Sequence, residues 1–202
     1  MILDLIEINQ KYNLKINGII HIGAHHGEEH DAYKKLNVNN IIYFEPIKKT
    51  FEVLKNKISD AVLYNIALGN DNKNIEMFVE DADAYGCSSI LQPSSNYNGV
   101  AFSNKEIVQM RTLDSFNFKE FNFLNIDVQG YELEVLKGAE QTLNSVDYIM
   151  CEINRHTPMK QLDYIGATPV ELVSNFLQKY GFELVEENWA GVSWGDGFYI
   201  KK

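Results

Sequence analysis

Ile19-Ile20-His21-Ile22-Gly23-Ala24-His25-His26-Gly27 and Ile41-Ile42-Tyr43-Phe44-Glu45-Pro46 are the two stretches on which the fold turns. An apolar run ending in Gly-x-x-x-Gly reads as a strand that turns sharply into a helix, with small residues that let a ligand approach the backbone and the helix N-terminus. About eighteen residues after Gly27, a second apolar run ends in a carboxylate, Glu45. In α/β nucleotide-binding sheets an acid at the tip of the second strand accepts hydrogen bonds from two ribose hydroxyls. The pair predicts an adenosine-containing cofactor. The competing reading is an ordinary strand-turn-helix with a solvated acid, since turn glycines and strand-end acids are common.

Glycine spacing narrows the choice of cofactor. A dinucleotide needs Gly-x-Gly-x-x-Gly so that its pyrophosphate rests on backbone amides, whereas here bulky His25 and His26 stand between the glycines. That disfavours an NAD-dependent oxidoreductase. A Walker loop needs Gly-Lys-Ser/Thr, but Gly27 precedes Glu28 and Glu29, which repel phosphate. S-adenosylmethionine, with a ribose, a cationic sulfonium and no phosphate, is the better fit.

The chain has 202 residues, enough for one sizeable core, and no linker or repeat interrupts it, so a single domain over 1–202 is expected. Its 28 acidic and 18 basic residues leave a formal charge of −10 without a basic stripe. Nucleic acid, which draws its affinity from clustered Lys and Arg, is therefore not an expected partner, and a small-molecule or glycan acceptor is. No apolar run approaches the roughly 20 residues that span a bilayer, and Asp4 and Glu7 stand where a signal peptide carries basic residues. A cytoplasmic protein with no membrane partner is expected. Cys151 in an apolar strand and Cys87 in a polar loop read as reduced thiols.

Periodicity along the chain predicts a short amphipathic helix within residues 1–14, then strand 18–23, helix 28–37, strand 40–45, helix 48–58, strand 61–66 and a further strand at 74–80. Regularity lapses over 81–106, a length that reads as a lid or an acceptor-binding loop. Strands 107–112 and 121–127, helix 131–143, strand 147–153, helix 169–180, strand 182–187 and strand 197–201 complete the pattern. Alternating strands and helices imply an α/β fold, a mostly parallel sheet with helices on both faces.

Phe123-Leu124-Asn125-Ile126-Asp127-Val128-Gln129-Gly130 repeats the logic of the first turn, aiming Asp127 at the crevice beyond the strand ends. The next strand brings Glu152 to the neighbouring tip, with Asn154 just beyond. Asp127, Glu152 and Asn154 then form either a proton-accepting site or an oxygen-rich site for Mg²⁺ or Mn²⁺. With one carboxylate fewer than a dedicated cage needs, the metal-free base is favoured, with Asp127 and Glu152 as the catalytic pair.

The chain resembles the FkbM-type S-adenosylmethionine-dependent methyltransferases over nearly its whole length. The resemblance rests on 21–27, Phe44-Glu45-Pro46, Ala67-Leu68-Gly69, Ser88-Ser89-Ile90-Leu91, Thr112-Leu113-Asp114-Ser115, 126–133 and Val135-Leu136-Lys137-Gly138, with Trp194 to Ile200 similar to a subset of the family. It implies the Rossmann-like class I methyltransferase fold, with a seven-stranded sheet and an antiparallel C-terminal strand. It also implies methyl transfer to an oxygen, often on a sugar or sugar-bearing metabolite. Carried over by position, Gly23, Ala24, His25 and Gly27 face the methionine part and Glu45, with Pro46, takes the ribose. Asn65, Ile66 and Ala67 line the adenine, Ser88 and Ser89 close over the cofactor or orient the acceptor, and Asp127, Val128 and Gln129 meet both ligands. Two departures stand out: His21 replaces an acid at the end of the first strand, and Asn125 and Gln129 replace a Lys and a Glu of the Lys-Ile-Asp-Val-Glu-Gly pattern. Gln129 bonds in both senses but is no base. A fold that binds the cofactor without turning it over is the competing non-enzymatic reading.

His26-Gly27-Glu28-Glu29-His30 also fits the His-x-x-Glu-His pattern of zinc peptidases, but His26 precedes the helix, and His30 reads as a surface residue. Tyr85, Tyr97, Phe102, Trp189 and Trp194 fall in predicted loops, where their rings suit the apolar faces of a sugar.

Overall fold

The computed structural model describes residues 1–84, 86–95, 100–156 and 162–202. Helix α1 (Leu5–Tyr12) starts where Asp4 accepts hydrogen bonds from the Ile6 and Glu7 amides. Strands β1 (Ile19–Ile22), β2 (Ile41–Phe44) and β3 (Val62–Tyr64) follow, connected by α2 (His30–Lys35) and α3 (Lys48–Lys57). Then come β4 (Ala67–Leu68), β5 (Lys73–Val79) and β6 (Asn104–Arg111). Beyond them lie β7 (Phe123–Ile126), α4 (Glu132–Lys137), β8 (Tyr148–Asn154), α5 (Val170–Gln178), β9 (Phe182–Ala190) and β10 (Trp194–Lys201).

Seven strands form one sheet in the order β3-β2-β1-β7-β8-β10-β9. The first five run parallel, and β10 is antiparallel to both its neighbours. Every residue of β1, β2 and β7 is buried, as a parallel sheet covered on both faces requires. Alternation along β1 sends Ile20 and Ile22 to one core, with Phe44, Leu124, Ile126, Leu136 and Leu177, and Ile19 to the other, with Tyr33, Tyr43, Leu54, Phe123 and Phe198. Chain order reverses between β1 and β7, so the carboxyl ends of these strands open the crevice where ligands bind in such sheets.

The local differences from the sequence pattern have tertiary causes. Strands predicted at 74–80 and 107–112 do not join the main sheet; with β4 they form a three-stranded sheet, β4-β6-β5. β6 starts at Asn104, which shortens the irregular segment. That segment is tied down by a Phe78–Ser89 bridge and a Pro93–Tyr164 bridge. The predicted helix 131–143 stops at Lys137, and a separate 3₁₀ turn covers Thr142–Asn144. Gly138 marks the break: a Cβ there would come within 1.9 Å of the Gly69 carbonyl oxygen. β9 and β10 reach Ala190 and Trp194, which places Trp189 and Trp194 in strands rather than loops. Tyr85 and Tyr97 lie outside the described residues. Cys87 and Cys151 are both buried. Among the described residues no helix is long and apolar enough to cross a membrane.

Candidate active site

At the reversal point, the tips of β1 and β7 touch. The Asp127 amide donates to the Ile22 carbonyl at 2.9 Å, and a Cβ on Gly23 would fall 1.8 Å from the Asp127 carbonyl oxygen. Gly23 also has a φ of +82°, so glycine is required twice over. The turn continues with His25 at φ +45°, its amide donating to Glu45 Oε2 at 3.0 Å. On the other side Gln129 is left-handed as well, at φ +57°. A side chain that long is uncommon there, and such strain gathers where the surrounding structure imposes a functional geometry.

The crevice has two arms that share Gly23, His25, Gly86 and Asp127. One arm, about 580 Å³ with its open mouth, is mainly apolar: Ile22, Phe44, Pro46, Ile47, Ile66, Ala67, Met77 and Ile90 surround Glu45. Glu45 is only 6% exposed, and its oxygens accept from the His25 and Ile47 amides. Burial nonetheless raises its carboxyl pKa to about 7. The other arm is polar, lined by His21, Ala24, Glu28, Glu29 and Gln129 among others. Glu28, Glu29, Glu45, Asp83 and Asp127 all line the crevice; among the described residues no Lys or Arg side chain does, and the Met1 ammonium lies 3.3 Å from Glu29. This charge suits a cationic sulfonium and ammonium and opposes a pyrophosphate, so the residues fit S-adenosylmethionine.

Gln129 joins the two carboxylates at the strand ends. Its Nε2 donates to Asp127 Oδ1 at 2.7 Å and to Glu152 Oε2 at 2.9 Å, while Tyr164 Oη donates to its Oε1 at 3.3 Å. Glu152 is buried, lines neither arm, and is held well above the usual carboxylate range by that burial and by the charge of Asp127. Beneath the turn, buried Glu132 accepts from the Val128 and Gly130 amides. Burial raises its pKa to about 7. His21 is buried, contacts Tyr33 Oη through Nδ1 at 3.1 Å, and is pushed toward its neutral form by desolvation.

Most of the residues singled out from sequence meet here: His21, Gly23, Ala24, His25, Glu45, Pro46, Ile66, Ala67, Ser88, Asp127, Val128 and Gln129 line one arm or the other. Three residues expected at the cofactor do not. Gly27 sits over Leu54 and Ile58 of the α3 region, Asn65 donates to the Glu45 and Pro46 carbonyls, and buried Ser89 donates to the Gln129 carbonyl. Each shapes a loop behind the wall. The alternative metal set also changes character: Gln129 Nε2 occupies the space between Asp127 and Glu152, and Asn154 turns its Nδ2 toward Glu152 Oε1 at 3.4 Å. Amide N–H groups, not an oxygen cage, face these carboxylates. The zinc-peptidase pattern is separated as well. His26 faces Asp83, while His30 is half-buried between Tyr43 Oη at 2.9 Å and Asp60 at 3.1 Å, not a surface residue. Sequence reading missed Ile47, Thr50, Met77, Asp83 and Ile90, which reach the crevice from α3, β5 and the loop beyond it. Only the alternation of Met77 along a strand carried any signal.

Fold and crevice together define a class I methyltransferase. The family model for the methyltransferase FkbM domain matches residues 21–184, and the chain belongs to that family of S-adenosylmethionine-dependent methyltransferases. A similar curated protein is 2-O-methyltransferase NoeI of Sinorhizobium fredii (strain NBRC 101917 / NGR234), 25% identical over 190 residues covering 86% of this chain and 75% of the relative. A crystal structure of methyltransferase FkbM from Methylobacillus flagellatus KT shares the fold with a TM-score of 0.61 at 14% identity, covering 91% of this chain but only 43% of that one. A SAM-dependent methyltransferase from Aquifex aeolicus superposes with a TM-score of 0.54 at 11% identity, covering 96% of this chain and 87% of that one.

Proposed function

We propose that the protein transfers a methyl group from S-adenosylmethionine to a hydroxyl of a sugar, glycan or sugar-bearing metabolite, with Asp127 as proton acceptor. The observation that carries this reading is the placement of Asp127 in both arms of the crevice, one arm built around Glu45 and the other open to a second ligand. In the first arm Glu45 holds the ribose, Ile66, Ala67 and Met77 flank the base, and the Gly23–His25 turn admits the methionine part. When bound, the cofactor supplies a methyl group on a sulfonium that is already a good leaving group. The chain then has to align the acceptor, exclude water and take up one proton. Gln129 fixes Asp127 through Oδ1, and Oδ2, which faces the Met1 ammonium at 3.9 Å, receives that proton. Glu152, held behind Gln129, is a positioning residue in this scheme rather than a second base.

The name of the Sinorhizobium relative supports oxygen as the methylated atom. Support for a carbohydrate acceptor comes from Trp194, 36% exposed and paired with Asn154 at the end of β8, two residues past Glu152. Indole faces suit sugar C–H surfaces. The test has two parts. Calorimetric titration with S-adenosylmethionine, NAD and ATP should show binding of the first alone. Release of S-adenosylhomocysteine should then appear with members of a sugar and glycan panel; cofactor binding without turnover on any hydroxyl acceptor would favour the non-enzymatic reading.

A further inference from the structure

We propose that His25, His26 and Asp83 form a binding site for a divalent transition metal of the Zn²⁺ type, distinct from the Asp127–Gln129–Glu152 group. One ligand atom from each residue lies within 4.8 Å of the others, and all three side chains are half-buried. His25 Nε2 stands 3.5 Å from Asp83 Oδ1, and His26 Nε2 stands 3.4 Å from Asp83 Oδ2. Both separations are long for an N–H···O bond. Each is close to the ligand-to-ligand edge of about 3.3–3.4 Å that a tetrahedral ion has when its bonds to N and O are about 2.0–2.1 Å, with the two imidazoles facing different oxygens of the carboxylate.

The surroundings are those of a prepared ligand set. Glu28 Oε1 lies 2.8 Å from His25 Nδ1; a proton on that nitrogen leaves the Nε2 lone pair free. His25 Nε2 is in fact buried and without a hydrogen-bond partner. A carboxylate on the far nitrogen is the usual support of a metal-bound imidazole. Thr50 Oγ1 donates to Asp83 Oδ1 at 2.7 Å, and buried Glu80 accepts from the Ala84 and Cys87 amides, which fixes the stretch carrying Asp83. Two imidazoles and one carboxylate suit borderline ions such as Zn²⁺, Ni²⁺ or Co²⁺ better than Mg²⁺. The His25 and His26 rings stack at 3.8 Å, so a small rotation must bring their lone pairs together. Because His25 and His26 belong to the glycine turn and Asp83 to the loop after β5, a bound ion would staple that loop across the mouth of the crevice.

The probes are ZnCl₂ and CoCl₂ added to the full-length chain after chelator treatment and dialysis. Calorimetry should give one Zn²⁺ per chain, thermal denaturation should shift upward, and the Co²⁺ form should show the intense visible absorption of a four-coordinate ion. His26→Gln and Asp83→Asn should each weaken Zn²⁺ at least tenfold, with far-ultraviolet circular dichroism confirming folded protein. His30→Ala, at the neighbouring histidine outside the cluster, should leave the affinity unchanged. No Zn²⁺ heat from folded wild-type protein, a Co²⁺ spectrum of the octahedral aquo ion, or equal affinity in His26→Gln and Asp83→Asn would overturn the assignment. Loss of binding in His30→Ala would do so too. The wild-type Co²⁺ spectrum stands whether or not the variants fold.

Discussion

Glu45→Gln isolates the cost of keeping a carboxyl inside the apolar arm of the crevice. The folded-state pKa is raised from 4.5 to about 7, with burial as the leading cause and the His25 and Ile47 amides working against it. A carboxyl raised in the folded state contributes stability that is present below its unfolded pKa and lost as pH rises through the folded one. Raising the pH from about 5.5 to about 8 should therefore cost the wild type about 2 kcal/mol through this group, as these pKa values and 1.36 kcal/mol per unit require. Glutamine has no proton to lose. Its constant cost, from turning one amide N–H toward a backbone donor, cancels when the two pH values are compared. The assay is urea unfolding of both proteins at each pH, with the stability difference, variant minus wild type, rising by that amount. A difference that stays flat across the range would show that Glu45 ionises as an ordinary surface acid, and the proposed ribose acceptor would lose its buried setting.

Asp127→Asn should retain S-adenosylmethionine affinity in calorimetry and lower turnover by roughly 10²–10⁴, the usual worth of a general base; wild-type turnover would move the proton acceptor elsewhere. Gly23→Ala should destabilise the protein by about 2–5 kcal/mol in chemical denaturation, combining a left-handed backbone with a clash against the Asp127 carbonyl. Gln129→Glu would put a third carboxylate where an amide now bonds Asp127 and Glu152. The folded state should then hold extra protons, so the melting temperature of the variant should fall below wild type at neutral pH and the gap should close in acid. A gap that widens in acid would contradict the bridging geometry.

That the core of the sheet is parallel and covered on both faces was legible because it is local chemistry written in runs. Ile19–Ile22, Ile41–Phe44 and Phe123–Ile126 are apolar at nearly every position since both faces of the sheet are covered. The glycine turn and the acids at Glu45 and Asp127 follow each run directly, so their place at the crevice needs only the rule that ligands sit beyond strand ends. Residues that act through distant contacts carried no such mark. Nothing near Asn65 or Ser89 in the chain says that they brace the crevice from behind, because their partners are the carbonyls of Glu45, Pro46 and Gln129. The break after Lys137 depends on Gly69 crossing nearly seventy residues away, and the second sheet depends on β4 and β5 finding β6. Asp83 shows the difference most sharply. In sequence it is one acid in an irregular loop, and only the folded chain sets its carboxylate against the Nε2 atoms of two histidines of the first turn. Periodicity and strand-end chemistry are properties of neighbours along the chain, whereas a cluster drawn from a turn and a remote loop exists only once packing has closed the distance between them.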